Sequence, residues 1–94
     1  MAVIDRLRQR VRERDYFLSS HAEEEMVDDR LSRSDVEQAI LSGTVEKKLT
    51  RDRRGSRYRV IGHADDGRPV CVICRFHELG GLIIITVYVP EQPQ

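Results

Sequence analysis

The sequence predicts an α+β fold in which about three N-terminal helices pack on a four-stranded antiparallel β-sheet. Apolar residues recur at helical spacing as far as Gly43, whereas from Thr44 onward they alternate with polar residues, as they do in strands. Turn-forming segments divide this second part into strand-length runs, which is the pattern of hairpins. A chain of 94 residues suits one domain with a single core. We therefore expect a helical part over residues 1–43, a sheet over 44–90 and a short tail over 91–94.

The first helix is predicted over residues 3–14. Ile4, Leu7 and Val11 follow the i, i+3, i+7 spacing of an amphipathic helix, and arginines fill the other faces. The apolar run that follows, Tyr16-Phe17-Leu18, is interpreted as a short extended link to the next helix.

The second helix is predicted to follow an N-cap at Ser20 and to run to about Arg30. Ser20 and Glu23 stand in the spacing of a capping box, in which the two side chains satisfy backbone N–H groups at a helix start. This assignment makes His21 the first helical residue.

The third helix is predicted to begin after Ser32 or Ser34, since Ser32-x-x-Asp35 and Ser34-x-x-Glu37 both match capping signals. Its apolar stripe consists of Val36, Ala39 and Ile40. Gly43 is a suitable residue to end it.

Four strands are predicted, over residues 44–50, 57–63, 68–76 and 82–89. In the second, Arg57 and Arg59 share one face and Tyr58 and Val60 the other. In the last, alternation places Thr86 and Tyr88 with Ile84, opposite Ile83, Ile85, Val87 and Val89. Helices on the apolar face of the sheet would leave four side chains accessible on its open face: Arg57, Arg59, Thr86 and Tyr88.

Composition narrows the class of protein. The chain is 39% hydrophobic and 34% charged, a balance typical of globular domains rather than of disordered or membrane chains. No apolar run is long enough to span a membrane and no secretory signal opens the chain, so we expect a cytoplasmic protein. The net charge is zero, which argues against indiscriminate nucleic-acid binding, although arginines cluster at 6, 8, 10, 12 and 14 and again at 51, 53, 54, 57 and 59.

Cys71 and Cys74 form a Cys-x-x-Cys motif within a predicted strand. Residues three apart in a strand point to opposite faces, so the pair suits neither a shared metal nor a disulfide. We expect two buried, reduced thiols, and the sequence predicts no metal site and no cofactor.

His21 is the candidate proton-transfer residue. A helix N-terminus disfavours imidazolium, which would leave the ring able to accept a proton, and Glu24 or Glu25 can orient it. The alternative is a capping or structural histidine. Arg57 and Arg59 present two guanidinium groups on one face, as phosphate binders do, although charge that protects an exposed strand gives the same pattern.

Several motifs together resemble the small bacterial domain-of-unknown-function family 4258 over about residues 16–89. They are Ser19-x-His21-Ala22-x-x-x-Met26-x-x-x-Arg30-Leu31-Ser32-x-x-Asp35-Val36-x-x-Ala39-Ile40-x-x-Gly43, Arg57-Tyr58-Arg59-Val60-Ile61-Gly62, Asp66-Gly67-Arg68-Pro69 and Ile85-Thr86-Val87-Tyr88. The resemblance implies a fold akin to the RelE, MqsR and BrnT toxins, within the wider group of metal-independent ribonucleases that includes barnase. It also implies a partner, a small antitoxin protein. Fold does not determine function, so the site requires its own argument.

The leading hypothesis is a toxin-like endoribonuclease that cleaves RNA by attack of the 2′-hydroxyl. Its catalytic residues would be His21, Arg57, Arg59 and Tyr88, and Arg54 and Thr86 would bind substrate. The alternative is a non-catalytic module that binds a protein or nucleic acid with the polar sheet face and the arginine-rich first helix. A homodimer that pairs exposed strand edges is a third hypothesis.

Overall fold

The structure, a computed structural model, describes residues 1–50, 53 and 55–90. The predicted substrate-binding residue Arg54 and the predicted tail at 91–94 lie outside these residues. The described part confirms the α+β class. Its elements, in chain order, are α1 (Val3–Arg12), β1 (Tyr16–Leu18), α2 (Ser20–Asp28), α3 (Arg33–Ser42), β2 (Thr44–Leu49), β3 (Arg57–His63), β4 (Pro69–Phe76) and β5 (Leu82–Tyr88).

The sheet has five strands in the order β1-β5-β4-β3-β2, and it is mixed rather than antiparallel. β1 runs parallel to β5, with Tyr16 opposite Leu82, whereas the other neighbouring pairs are antiparallel. The prediction of four antiparallel strands therefore missed one strand, since Tyr16–Leu18, which was interpreted as an extended link, pairs with β5 as a fifth, parallel strand. A run of three residues is too short to show strand alternation, and its partner strand lies at the other end of the chain.

The predicted alternation of the last strand was also wrong. Leu82, Ile84 and Val87 are all fully buried, because the register of β4 and β5 shifts at Ile85. Such a bulge adds one residue to one strand and reverses the faces of those that follow. Thr86 and Tyr88 consequently lie opposite Ile73 and Cys71, on the other face from Ile84.

The core lies between the sheet and the helices. α3 packs on β3 and β4 and also contacts α1, while α2 lies against β5. The predicted helix faces are confirmed, since Leu7 and Val11 of α1 and Val36, Ala39 and Ile40 of α3 are buried. No helix in the described ranges is long and apolar enough to cross a membrane.

The start of α2 differs by one residue from the prediction. Ser19, not Ser20, is the N-cap: its hydroxyl accepts from the Ala22 N–H at 3.0 Å and donates to the Ile85 carbonyl at 2.8 Å. The second bond joins the cap to β5, and the sequence around the helix contains no sign of this tertiary contact. His21 is therefore the second helical residue.

The end of α2 is held by Arg68, which precedes β4. Its guanidinium donates to the carbonyls of Asp29 at 2.7 Å and Arg30 at 3.0 Å, and it also binds the carboxylate of Asp66. Arg30 has a φ of 54°, so the chain turns sharply there. α2 ends at Asp28, two residues before the predicted position, because the left-handed backbone of Arg30 cannot continue the helix, and Arg68 binds the two carbonyls that follow.

The two cysteines are fully buried and unpaired, on opposite sides of β4. Burial raises the pKa of the Cys74 thiol to about 12.

We expect the folded protein to show no fast reaction with an aromatic disulfide reagent at neutral pH, because neither sulfur is accessible and the thiolate is the reactive form. Both thiols should react at once in denaturant. Rapid modification of one thiol in the folded state would contradict this burial.

Candidate functional site

The sheet face opposite α1 and α3, here called the open face, displays side chains in three rows that cross the strands. Strand pairing defines the first row as Leu49, Arg57, Arg75, Ile83 and Phe17, the second as Lys47, Arg59, Ile73 and Thr86, and the third as Thr44, Ile61, Cys71 and Tyr88. Neighbours within a row lie on strands ~4.8 Å apart, and successive rows are separated by ~7 Å along the strands. The grid explains how distant segments meet on one surface.

The rows carry positive charge and no acidic residue. The cations are Lys47, Arg57, Arg59 and Arg75, and the isoleucines between them are half-buried. Glu46 lies at the bulge of β2, and its carboxylate offsets part of this charge. Its Oε1 is 3.9 Å from Nε of Arg59, which is too far for a hydrogen bond. A chain of zero net charge thus presents a locally basic surface, and such a patch attracts anions.

Arg59 and Tyr88 meet over Cys71, which is fully buried beneath them. The hydrogen bond with the Cys71 sulfur is the largest cause that raises the pKa of Arg59 and the pKa of Tyr88. The guanidinium is therefore charged and the phenol protonated at neutral pH, so both side chains act as hydrogen-bond donors. Within the described residues, Arg59 Nε is buried without a hydrogen-bond partner. A buried donor without a partner carries a desolvation cost.

His21 lies beside the edge of β5. Its side chain is 64% exposed, and Nε2 lies 3.2 Å from Oε1 of Glu25, one helical turn away. The same carboxylate oxygen accepts a hydrogen bond from the Val87 N–H at 3.2 Å. Because Val87 stands between Thr86 and Tyr88, Glu25 fixes the histidine beside the β5 end of the second and third rows.

Glu25 belongs to a series of α2 side chains that complete the edge of β5 where β1 ends. Ser19 binds the Ile85 carbonyl, Glu25 the Val87 N–H and Asp29 the Val89 N–H at 2.9 Å. These side chains continue the edge pairing of β5 beyond the end of β1, and they satisfy backbone groups of β5 that no strand reaches there. The position of His21 relative to the sheet follows from this attachment.

The structure brings most, but not all, of the predicted site residues together. Arg59 and Tyr88 share the Cys71 contact, Thr86 lies in the row of Arg59, and Arg57 lies opposite Arg75 in the next row. Nε2 of His21 contacts Glu25 instead, and Glu25 links the histidine to β5 through the Val87 N–H. Arg59 and Thr86 lie two strands apart, a span of ~10 Å.

Sequence reasoning missed Cys71 and Arg75 as members of the site. Alternation within β4 places them on one face with Ile73, yet only the pairing of β4 with β3 and β5 shows that this is the face of the arginines. In the described ranges, no group of three or more His, Cys, Asp or Glu side chains is arranged to hold a metal ion.

An α+β domain with a basic open sheet face and a histidine at its edge is thus the class that fold and site define. The family model described as Domain of unknown function (DUF4258) matches residues 18–89, and the chain belongs to this family. No curated protein and no solved structure matches it significantly. The resemblance drawn from the motifs is confirmed, and the family carries no assigned activity.

Proposed function

We propose that the protein is a metal-independent endoribonuclease, the toxin of a toxin–antitoxin pair, on a scaffold related to RelE. The observation that carries the proposal is the histidine–carboxylate pair at the edge of a cationic sheet face. Cleavage of RNA without metal needs a proton-transfer group, cations on the phosphate and a proton for the leaving oxygen. His21, the open-face arginines and Tyr88 are residues of these types.

The cleavage reaction requires one base and one acid. A base removes the 2′-hydroxyl proton, the 2′-oxygen forms a bond to phosphorus, and the bond from phosphorus to the 5′-oxygen breaks. The 5′-oxygen takes a proton from an acid, which leaves a cyclic phosphate and a 5′-hydroxyl. We assign one of these two proton transfers to His21, as general base or general acid, since histidine is the residue that most often serves in these roles.

Glu25 supports this assignment as the residue that holds the His21 ring. A carboxylate bound to a catalytic histidine fixes its orientation and stabilises the imidazolium that forms during the reaction. Arg57 and Arg59 would stabilise the charge that builds on phosphate. Tyr88, whose pKa is raised, suits a hydrogen-bond donor to the same oxygens rather than a base.

His21→Ala is expected to lower the rate of RNA cleavage at least ~100-fold, since positioned proton transfer contributes 10²- to 10⁴-fold. The purified protein is incubated with labelled single-stranded RNA in EDTA, and products are resolved on a gel. His77→Ala, in the turn after β4, is the matched control and should cleave normally. The exposed position of His21 predicts an unchanged circular dichroism spectrum. Full activity of His21→Ala would remove the histidine from the mechanism.

A non-catalytic binding module is the second candidate, because the cations of the open face would bind an anionic partner with no need of His21. The arginine-rich first helix contributes less to this surface than its sequence indicates. Arg8 donates to the Gly43 carbonyl, Arg10 binds Asp15, and Arg6 stacks over Phe76, so three of its guanidiniums are engaged within the chain. RNA that stays intact across a broad pH range, while a neighbouring gene's product co-purifies, would favour this candidate.

A homodimer through strand edges is the least favoured hypothesis. β2 forms one edge of the sheet, and it carries a bulge together with Lys47 and Lys48. Bulges and lysines on an edge strand oppose pairing with a second chain.

A further inference from the structure

Phe17 is an aromatic side chain whose exposure the fold does not explain. Its neighbours in β1, Tyr16 and Leu18, face the core, whereas the ring of Phe17 points to the open face beside Ile83 and is 66% exposed. Contact with water over most of a phenyl ring is unfavourable, by roughly 25 cal/mol per Å² of apolar surface. The ring stands at the outer edge of the first row, with no strand beyond it.

Two arginines occupy the same row. Arg57 and Arg75 lie directly opposite each other on β3 and β4. Side chains in this relation have Cβ atoms roughly 5 Å apart, so the two guanidiniums concentrate positive charge in this row. Ile83 lies between the arginines and Phe17, so two cationic side chains are followed along the row by an apolar side chain and then by the aromatic ring.

We propose that the first row is a subsite for single-stranded RNA, in which one base stacks on Phe17 and an adjacent phosphate is bound by Arg75. The proposal deepens the proposed function, because it rests on RNA as the ligand of the open face. It does not rest on cleavage.

The geometry places this subsite beside the cleavage site rather than in it. Phe17 and Arg75 lie two strands apart, a span of ~10 Å, and the row of Arg59 and Thr86 runs ~7 Å away. RNA that crosses the strands along the first row would present a neighbouring nucleotide to the second row. The subsite would thus select the nucleotide that flanks the cleaved bond.

Single-stranded RNA fits the row better than an acidic peptide does. A flat sheet with an exposed aromatic ring and guanidiniums is how proteins bind unpaired bases and their phosphates, since every base offers a face to stack. An acidic peptide would satisfy the arginines and leave the ring without a specific role. Duplex RNA would bury its bases away from Phe17.

The test measures RNA binding by fluorescence anisotropy in a His21→Ala background, which keeps the oligonucleotide intact. Phe17→Ala should weaken binding of a labelled single-stranded RNA roughly fivefold or more, since stacking contributes ~1–3 kcal/mol per base. Phe17→Tyr should restore it. Val27→Ala is the matched control, because it shortens an exposed apolar side chain that lies on α2 and not on the open face. This variant should bind the RNA normally.

A second oligonucleotide separates stacking from charge. On a strand of the same length with abasic residues, Phe17→Ala should have no effect, because no base is present to stack. Arg75→Ala should weaken binding to both strands and reduce the slope of log affinity against log salt by ~0.7 for each phosphate that the arginine would otherwise neutralise. Arg12→Ala removes an exposed charge from α1 and should change neither.

Each outcome decides the proposal. Absence of RNA binding, an equal loss on the abasic strand, or undiminished binding by Phe17→Ala would overturn it. The proposal would also be overturned if binding of a poly-glutamate peptide depended on Phe17 and binding of RNA did not. That result would point to a protein partner. Binding that depends on Phe17, together with unchanged RNA in the wild-type protein, would keep the subsite and reject the nuclease.

Discussion

Gly62→Ala is expected to destabilise the protein strongly, because Gly62 lies on β3 directly against the backbone of α3. A Cβ built at Gly62 would lie 1.8 Å from the carbonyl oxygen of Ala39 and 2.9 Å from its Cα. These are backbone atoms of α3, so no rotamer change relieves the overlap, and the helix must move away from β3. We expect a loss of about 3 kcal/mol or more in the free energy of unfolding, at the upper end of overpacked cores.

Two variants control this experiment in urea unfolding. Gly67→Ala adds a methyl group in an open turn with φ of 89°, where nothing lies within 4 Å, and should cost only the ~1–2 kcal/mol of left-handed strain. Gly62→Ala combined with Ala39→Gly should be no more stable than Gly62→Ala alone, since the overlap is with backbone and a glycine inside α3 lowers the stability of the helix further. Rescue by Ala39→Gly, or a Gly62→Ala protein as stable as wild type, would show that α3 does not approach β3 this closely.

The close approach at Gly62 separates what the sequence predicts, the buried face of α3, from what it does not predict, the contact of α3 with β3. Apolar spacing was enough to find α3 and its buried face, because Val36, Ala39 and Ile40 recur at helical period. Gly43 was predicted as a helix-ending glycine. It does end α3, with φ of −87°, and a Cβ there would lie 2.4 Å from the Ala39 oxygen. The glycine serves contact between elements, and such a need is not visible in local sequence.

The errors in the sheet share a physical cause. β1 is stabilised by pairing with β5 rather than by its own pattern, and the bulge at Ile85 reverses the facing that strict alternation predicts. Both features depend on which strand lies beside which. A single sequence carries the period of a strand and not the identity of its neighbour.

The candidate site shows the same division. Arg57 and Arg59 share a face because two residues on one strand always do, so their accessibility was predictable. Their relation to Arg75, Cys71 and Tyr88 required the order of the strands. The attachment of His21 to β5 through Glu25 required the position of α2.

The motifs that identify the family serve structure more directly than chemistry. Ser19 joins α2 to β5, Arg68 binds the carbonyls that follow α2, and Asp35 caps α3. The residues with a chemical role in the proposal, such as His21 and Tyr88, are few among them. Family membership is therefore stronger support for the fold than for the activity, which the cleavage and binding experiments decide independently.

Asp35→Asn is expected to lower the free energy of unfolding at pH 7 by about 2 kcal/mol or more. Asp35 is 9% exposed, and its two carboxylate oxygens accept from different backbone groups, the Ser32 N–H at 2.8 Å and the Asp65 N–H at 3.0 Å. An asparagine offers only one oxygen, so its NH₂ group would face one of these donors. The carboxylate thus joins the start of α3 to the turn between β3 and β4.

The same contacts predict how this contribution depends on pH. The Ser32 N–H is the largest cause that lowers the pKa of Asp35, and the Asp65 N–H lowers that pKa further. Because the pKa is lower in the folded than in the unfolded protein, the unfolded chain takes up the proton first as pH falls. The stabilisation is therefore complete above the ordinary aspartate pKa of about 4 and is lost as pH falls through the folded value.

Urea unfolding at pH 7 and at steps below pH 4 measures both effects. The stability difference between wild type and Asp35→Asn should be largest at pH 7 and should shrink as the medium becomes more acidic, since the wild-type carboxylate is then neutralised. Asp28→Asn removes an exposed carboxylate from α2 and should leave the pH dependence unchanged. A difference that stays constant down to the lowest pH would mean that the charge of Asp35 does not hold α3 to the β3–β4 turn.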